Sequence, residues 1–171
     1  MMIIKPWDPK PEVVFGYEQK GSRKKPAVTV IITNFNYEKY VIACLDSIYA
    51  QTFESLGLVV IDDKSERDKS VACIHEWMEE HHKRFLSCTL LANPVNQGPS
   101  FSRNAAIDYA KSDYIFMIDA DNEIFPSAIT KLFAALQRTD CAGAYSQIVE
   151  YGDRSQIGMS DIWDAERMHQ N

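Results

Sequence analysis

The stretch Tyr114-Ile115-Phe116-Met117-Ile118-Asp119-Ala120-Asp121-Asn122 decides the fold of this chain. Its five leading apolar or aromatic residues predict a strand buried on both faces, as in a parallel sheet covered by helices. Because an unpaired carboxylate is costly to bury, the strand should stop at Asp119 and deliver both acids to the carboxyl edge of the sheet. If the chain is still extended there, Asp119 and Asp121 point the same way.

Two carboxylates with one residue between them allow two interpretations. They offer the hard oxygen ligands that Mg²⁺ or Mn²⁺ prefers when it carries a substrate phosphate. They also suit a simple turn, because Asp and Asn are common after strands, where they form local hydrogen bonds. Both interpretations stay open on this stretch alone.

The composition is that of an ordinary globular domain. The chain has 171 residues, of which 46% are hydrophobic and 25% charged, which fits a single well-buried domain. A formal charge of −6 argues against a general binder of nucleic acid or of anionic membranes. No apolar segment approaches the roughly 20 residues that span a bilayer, and we see no signal peptide. Cys44, Cys73, Cys88 and Cys141 are widely spaced, which favours reduced cysteines and a cytoplasmic protein.

The first residues differ from the rest of the chain. Residues 1 to 26 contain four prolines and a basic cluster at 20 to 25, and they are expected to form an arm or linker. Within them, Val13-Val14-Phe15 is a candidate for a short edge strand. The domain proper is predicted to run from 27 to 171.

Strands and helices are predicted to alternate along that domain. Strands are expected at 28–33, 56–61, 87–92, 114–118 and 142–149. Helices are expected at about 37–50, after Lys64-Ser65 and at about 100–110, and a fourth with Pro126 in its first turn. Asn36 is the expected cap of the first helix. This alternation is typical of βαβ units, so we predict a three-layer α/β/α fold with a mostly parallel sheet.

Right-handed crossovers place the carboxyl ends of parallel strands at one edge of the sheet. The residues expected to share this crevice are Thr33, Asp62, Asp63, Asp119 and Asp121. Neither GxGxxG nor GxxxxGK[ST] is present, which disfavours an NAD enzyme or a P-loop NTPase.

The remaining polar groups of the predicted crevice favour a ligand in which a nucleoside diphosphate carries a further chemical group. Arg103, near the start of a predicted helix, together with a metal suits a diphosphate. An acid such as Asp63 suits the N–H edge of a base or a sugar hydroxyl. The alternative for Arg103 is a salt bridge on the helix surface.

An ordered set of motifs resembles family 2 glycosyltransferases over about residues 27 to 150. The motifs are Thr33-Asn34-Phe35-Asn36-Tyr37, Leu45-Asp46-Ser47-Ile48 with Gln51-Thr52-Phe53, Val60-Ile61-Asp62-Asp63-Lys64-Ser65, Asn96-Gln97-Gly98-Pro99 with Ser102-Arg103-Asn104, and Ile118-Asp119-Ala120-Asp121. Each motif alone is weak, whereas the ordered set is specific.

The resemblance implies a Rossmann-like GT-A fold and a metal-dependent, inverting transfer of sugar from a nucleotide-sugar, UDP-linked in our interpretation, to a saccharide or glycoconjugate. It implies that Thr33 and Asp63 hold the base and that Phe35 lines the base pocket. Arg103 would lie by the base or the diphosphate, and Asp62 is expected among the substrate-binding residues. The implied roles at the metal are that Asp119 and Asp121 flank Mn²⁺ or Mg²⁺, with Asp121 the direct ligand.

The general base is expected beyond Asn171, so the sequence is interpreted as part of a longer protein. Asp161, Asp164 and Glu166 lie in the right region without a motif around them. His169 is either a late metal ligand or a solvated residue. Two alternatives remain: a nucleotide-sugar-binding module without turnover, and a nucleotidyltransferase-like enzyme. The latter should show a glycine-rich loop where Asn34-Phe35-Asn36-Tyr37 stands.

Overall fold

A computed structural model describes residues 9–20, 24–139, 141–151 and 156–158. Its main sheet has five strands in the spatial order β1-β4-β3-β2-β5. They are β1 (Glu12–Glu18), β2 (Val28–Asn34), β3 (Leu56–Asp62), β4 (Ser87–Ala92) and β5 (Tyr114–Asp119). All pairings are parallel except that β1 runs antiparallel to β4. The mostly parallel sheet predicted from the sequence is therefore confirmed.

Helices follow the parallel strands, as the βαβ pattern requires. They are α1 (Glu38–Tyr49), α2 (Ser70–His81), α3 (Pro99–Ile107) and α4 (Ala128–Arg138), with one 3₁₀ turn at His82–Arg84. The buried stripe predicted for α1 is confirmed, since Val41, Cys44, Leu45 and Ile48 are all buried.

The core lies on both faces of the central strands. Every residue of β3 is buried, which its run of apolar residues predicts. On one face, Ala105 and Ala106 of α3 belong to the same buried cluster as Ile31 and Val59. Side chains that alternate to the opposite face, such as Val30 and Val60, are also fully buried, so both faces of the sheet are covered.

The register of the parallel strands brings their ends to one level. Asn34 at the end of β2 pairs with Asp62, and Thr33 pairs with Asp119 at the end of β5. Polar residues that are far apart in sequence therefore emerge side by side at the carboxyl edge of the sheet.

The structure corrects three expectations about the strands. β5 is the outermost strand among the described residues and pairs only with β2, so Tyr114 and Met117 are 39% and 53% exposed instead of buried. The strand predicted over 142–149 exists only as β6 (Ile148–Glu150), which pairs antiparallel with β7 (Gln156–Gly158) in a separate sheet. β1 is an edge strand of the main sheet, which confirms the edge strand expected at Val13-Val14-Phe15; this part of the predicted arm is therefore not a linker.

The helix boundaries also differ from the predictions. Tyr37, not Asn36, occupies the position before α1 and makes no side-chain capping bond. Asn36 has a positive φ of 57°, and its side-chain oxygen accepts a hydrogen bond from the Arg67 backbone N–H. α3 ends at Ile107 and not near Ala110. α4 begins after Pro126 instead of including it in the first turn.

The contacts between residues divide the chain into two compact units, Met1–Ile129 and Thr130–Asn171. The first contains the five-stranded sheet with α1 to α3, and the second contains β6 and β7. None of the described helices combines the length and apolar character needed to cross a bilayer.

The glycine at position 57 in β3 is required by close packing. A Cβ there would lie 2.8 Å from Ser87 Oγ and 3.1 Å from both Pro26 Cγ and Thr29 Oγ1. Gly57→Ala should therefore lower the free energy of unfolding by about 1–3 kcal/mol, measured by urea denaturation. The matched control is Gly16→Ala in β1, where the nearest atom would be Val13 Cγ1 at 3.7 Å. Equal stability of the two variants would contradict this packing argument.

Candidate functional site

A cavity of about 490 Å³ lies at the carboxyl edge of the main sheet. Its lining residues are Thr33, Asn34, Phe35, Tyr37, Asp63, Asn96, Gly98, Pro99, Ser102, Arg103, Asp119 and Asp121. Every described residue that was predicted for the site is among them except Asp62. Asp161, Asp164, Glu166 and His169 lie outside the described residues.

At one end of the cavity, Asp119 is held by two donors. The Thr33 hydroxyl donates to Asp119 Oδ1 at 3.0 Å, and Arg103 Nη2 donates to the same oxygen at 2.6 Å. Both bonds go to Oδ1, so the lone pairs of Oδ2 remain for a ligand. Arg103 therefore forms its ion pair with a residue of the cavity and not along the surface of α3, and its predicted place beside the base or the diphosphate stays a prediction.

The chain turns directly after Asp119, which corrects the expectation of an extended Asp119-Ala120-Asp121 segment. β5 ends at Asp119, and the Asn122 backbone N–H donates back to the Asp119 carbonyl at 3.1 Å. Ala120 is fully buried, whereas Asp121 is exposed. Both carboxylates nevertheless line the same cavity.

Tyr37 is a residue of this end that sequence analysis did not assign to the site. The negative charge of Asp121 raises the pKa of the Tyr37 hydroxyl, and burial and a hydrogen bond with Asp121 raise it further. The phenol thus stays protonated as a donor beside Asp121. Its position, one residue beyond the turn that follows β2, was the available signal.

A buried thiol lies beneath the turn. Cys44 Sγ lies 3.7 Å from the Asp119 carbonyl, to which it donates. Burial raises the pKa of Cys44 to about 12, with a further contribution from the charge of Asp121. A neutral thiol at this position adds no charge next to the two carboxylates.

Asp62 is hydrogen-bonded within the fold, and its predicted contact with substrate stays a prediction. Its side chain is 1% exposed and does not line the cavity. It accepts hydrogen bonds from Asn34 Nδ2 at 2.7 Å, from the Ser65 backbone N–H at 2.8 Å and from the Ser65 hydroxyl at 2.6 Å. These bonds fix the connection between β3 and α2.

Asp63 forms the other end of the cavity and closes the loop that precedes α3. Its Oδ1 accepts from Asn93 Nδ2 at 2.7 Å and from the Gln97 backbone N–H at 2.9 Å, and its Oδ2 accepts from the Gly98 backbone N–H at 2.7 Å. Gly98 has a φ of +83°, which is natural for glycine and strained for other residues. With three donors for about four lone-pair sites, one acceptor position remains on Oδ2.

Asn93 connects this end to α3. Its Nδ2 donates to Ser102 Oγ at 2.9 Å as well as to Asp63 Oδ1. Sequence analysis assigned no role to Asn93, because nothing in its spacing marks it, and quoted Ser102 only as part of the Ser102-Arg103-Asn104 motif.

The two ends together suit a diphosphate carried with a metal ion. Within the described part of the chain, no cluster of three or more His, Cys, Asp or Glu side chains could hold a metal. Mg²⁺, however, commonly takes only one or two protein carboxylates and completes its shell with water and substrate phosphates. Asp119 Oδ2 and the exposed Asp121 fit that donor set.

The sequence of this chain matches the model "Glycosyl transferase family 2" over residues 29–167. The chain belongs to glycosyl transferase family 2. The resemblance inferred from the ordered motifs is therefore confirmed, and so is the GT-A type of fold, which the solved structures below share.

Relatives in the family include an uncharacterized glycosyltransferase of Haemophilus influenzae, 30% identical over 84% of this chain and 45% of the relative. Another is the teichoic acid poly(glycerol phosphate) polymerase of Staphylococcus epidermidis, 30% identical over 66% of this chain and 15% of the relative. The chain spans less than half the length of each of these family 2 relatives.

Two solved structures are also similar. S. aureus TarS in complex with UDP-GlcNAc superposes with a TM-score of 0.57 and 25% identity, covering 66% of this chain and 31% of that one. Mannosyltransferase PcManGT from Pyrobaculum calidifontis, in complex with GDP-Man and Mn²⁺, gives a TM-score of 0.55 and 28% identity, covering 75% and 34%.

The carboxylate of Asp63 should be essential for holding the loop before α3. Asp63→Asn keeps the shape but turns an amide N–H₂ toward N–H donors, at a residue that is 4% exposed. We expect the free energy of unfolding to fall by about 1–3 kcal/mol in urea denaturation. Asp113→Asn, an exposed aspartate before β5, is the control and should change stability little. An Asp63→Asn protein as stable as this control would show that the network is not stabilising.

Proposed function

We propose that this chain is the donor-binding part of a metal-dependent, inverting glycosyltransferase that uses a UDP-linked sugar and a saccharide or glycoconjugate acceptor. The observation that carries the proposal is one cavity lined both by a buried carboxylate, Asp63 after β3, and by Asp119 with Asp121 at the end of β5, on the other side of β2. That separation of groups suits a ligand with a base at one end and a diphosphate at the other.

Asp63 is assigned to the base. Its remaining lone pair on Oδ2 accepts one ring N–H, and burial makes that single hydrogen bond selective. Thr33 and Phe35 line the same cavity; Phe35 is 44% exposed and offers an aromatic surface on which the base can lie. Asn96 closes the loop at this end by donating to the Asp63 carbonyl at 3.0 Å.

Asp119 and Asp121 are assigned to Mn²⁺ or Mg²⁺, with Asp121 as the direct ligand. When bound, the ion neutralises the charge that develops on the departing nucleoside diphosphate. Arg103 adds a fixed positive charge on the same side, and Thr33 holds Asp119 in place. The acceptor hydroxyl then attacks the anomeric carbon opposite the leaving group and loses its proton to a general base. Asp161 and Asp164 are candidates for that base.

The relatives support this assignment without naming the substrates of this chain. TarS is solved with the nucleotide-sugar UDP-GlcNAc, and PcManGT is solved with the nucleotide-sugar GDP-Man and with Mn²⁺. Both proteins have the same type of fold as this chain. A further relative, from Bacillus spizizenii, is named poly(ribitol-phosphate) beta-glucosyltransferase, which supports a role in polysaccharide synthesis. The free cysteines support the cytoplasm as the proposed compartment.

The second candidate function is a nucleotide-sugar-binding module without turnover. Among the described residues that line the cavity, the carboxylates are Asp63, Asp119 and Asp121, and each already has a role in binding the donor. None is therefore left to deprotonate an acceptor. Transfer of sugar to a defined acceptor would separate the two candidates.

Donor binding should require a divalent metal and Asp121. In calorimetric titrations, UDP should bind at least tenfold more tightly with Mn²⁺ than with EDTA, because the ion offsets the repulsion between the diphosphate and the carboxylates. Asp121→Ala should remove most of this difference.

Asp113→Ala is the matched control, since Asp113 is also an exposed aspartate but lies before β5, outside the cavity. It should bind UDP as the unmodified chain does. Tight binding of UDP in EDTA, or an Asp121→Ala protein that keeps the full effect of Mn²⁺, would contradict the metal assignment.

A further inference from the structure

The motif Leu45-Asp46-Ser47-Ile48 with Gln51-Thr52-Phe53 has no role in the function proposed above. It covers the last turn of α1 and the residues after that helix, and none of its members is among the described residues that line the cavity. Gln51 is nevertheless only 4% exposed, so its amide needs hydrogen-bond partners inside the protein. Two of those partners belong to the segment that follows Asp121.

The Gln51 side chain bonds to three backbone groups. Its Nε2 donates to the Ser47 carbonyl at 3.0 Å and to the Phe125 carbonyl at 2.9 Å. Its Oε1 accepts from the Ile129 backbone N–H at 3.2 Å. Because carbonyls only accept and the N–H only donates, all three bonds agree on one orientation of the amide. Gln51 therefore links the end of α1 to both Phe125 and Ile129.

Two other residues of the motif bind the same segment. The Ser47 hydroxyl accepts from the Ile124 backbone N–H at 3.2 Å. The Thr52 backbone N–H donates to the Pro126 carbonyl at 2.8 Å. Together with the bond from Gln51 to Phe125, these contacts tie three successive residues, 124 to 126, to the end of α1.

The loop that these bonds hold is irregular and largely exposed. Residues 121–127 form neither helix nor strand, and Asp121, Asn122 and Glu123 are exposed. Phe125 is 69% exposed, so its ring contributes little packing. An exposed loop of this kind is mobile unless its backbone is tied down. The bonds from the end of α1 supply such a restraint, and it begins three residues after Asp121.

We propose that Gln51 is a positioning residue for Asp121, because it holds the loop from which that carboxylate reaches the cavity. The inference rests on the proposed function, in which Asp121 is the direct ligand of the divalent ion. A carboxylate on a loose loop must be ordered when the ion and the donor bind, and that loss of entropy weakens the affinity. Residues that orient a metal ligand directly change metal affinity about 10–100-fold when they are mutated. Gln51 acts through the backbone, so its effect should be smaller.

Calorimetric titration with UDP, in Mn²⁺ and in EDTA, tests this role. Gln51→Met keeps the length of the side chain and removes all three bonds. The gain in UDP affinity that Mn²⁺ gives should fall about three- to tenfold, while UDP affinity in EDTA should change less than about twofold. Gln19→Met is the matched control, since Gln19 is exposed and lies just after β1. It should bind UDP as the unmodified chain does.

A milder variant and a second control separate positioning from a loss of stability. Ser47→Ala removes the bond to the Ile124 N–H and should reduce the Mn²⁺ effect about two- to fivefold, which keeps the test decisive if Gln51→Met does not fold. Gly57→Ala is expected to destabilise the protein from the amino end of β3. It should keep the full Mn²⁺ effect, whereas a general effect of stability would reduce it as well.

A double variant tests whether Gln51 acts through Asp121. In a chain that already carries Asp121→Ala, Gln51→Met should change UDP affinity less than about twofold, because the ligand that it positions is gone. Independent losses that add together would contradict the positioning role.

Hydrogen exchange tests the restraint without metal or nucleotide. The Ile124 and Ile129 amides are the two N–H groups that donate to Ser47 and Gln51. Relative to the amides of β3, their exchange should be at least about tenfold faster in Gln51→Met and unchanged in Gln19→Met.

The outcomes separate this inference from the proposed function. If the unmodified chain binds no nucleoside diphosphate, the proposed function fails, and the role of Gln51 toward Asp121 fails with it. If Mn²⁺ strengthens UDP binding equally in the unmodified chain and in Gln51→Met, positioning is overturned and metal-dependent donor binding stands. Unchanged exchange at Ile124 and Ile129 would overturn the restraint itself.

Discussion

Two adjacent buried carboxylates at the end of β3 are the constraint on which the site depends. A buried carboxylate needs hydrogen-bond donors around it, and Asp62 and Asp63 accept hydrogen bonds from different segments of the chain. Asp62 takes Asn34 from the end of β2 and Ser65 from the loop after β3. Asp63 accepts hydrogen bonds from Asn93 and from backbone N–H groups of the loop before α3. The requirement to satisfy two charges thereby positions three segments at the carboxyl edge, and the cavity is the space between them.

The opposite end of the cavity is built differently. Asp119 is half exposed, and both of its described donors bond to Oδ1, which leaves Oδ2 for a ligand. The parallel register with β2 brings Thr33 to it, and α3 brings Arg103. The buried part of the cavity around Asp63 suits selective binding of a base. The open part around Asp119 suits phosphates and an ion, which must enter with the donor and leave with the nucleoside diphosphate.

The strand pattern predicted most of this arrangement, because polar residues that end parallel strands must share an edge. It could not predict how Asp62 and Asp63 divide their roles, since that depends on which loop supplies donors to each. Nor could it find Tyr37, which the structure places in a hydrogen bond with Asp121. The extended Asp119-Ala120-Asp121 segment is not found because the chain turns after Asp119, where the Asn122 backbone N–H donates to the Asp119 carbonyl. The expectation that β5 is buried on both faces was wrong, because within the described sheet β5 is an edge strand that pairs only with β2. An apolar sequence indicates that a strand can be buried, but it does not give the position of the strand in the sheet.

Charge, more than the number of ligands, favours a divalent ion in this site. Among the described residues that line the cavity, three carboxylates face one guanidinium, and that guanidinium is already paired with Asp119. A diphosphate entering such a cavity meets excess negative charge, which a hydrogen-bonded Tyr37 and a neutral Cys44 do not offset. Asp63 is screened by its three N–H donors, but the exposed Asp121 is not. A divalent ion held by Asp121 would offset that repulsion, so under the proposed function the same carboxylate that would exclude the donor would help to retain it.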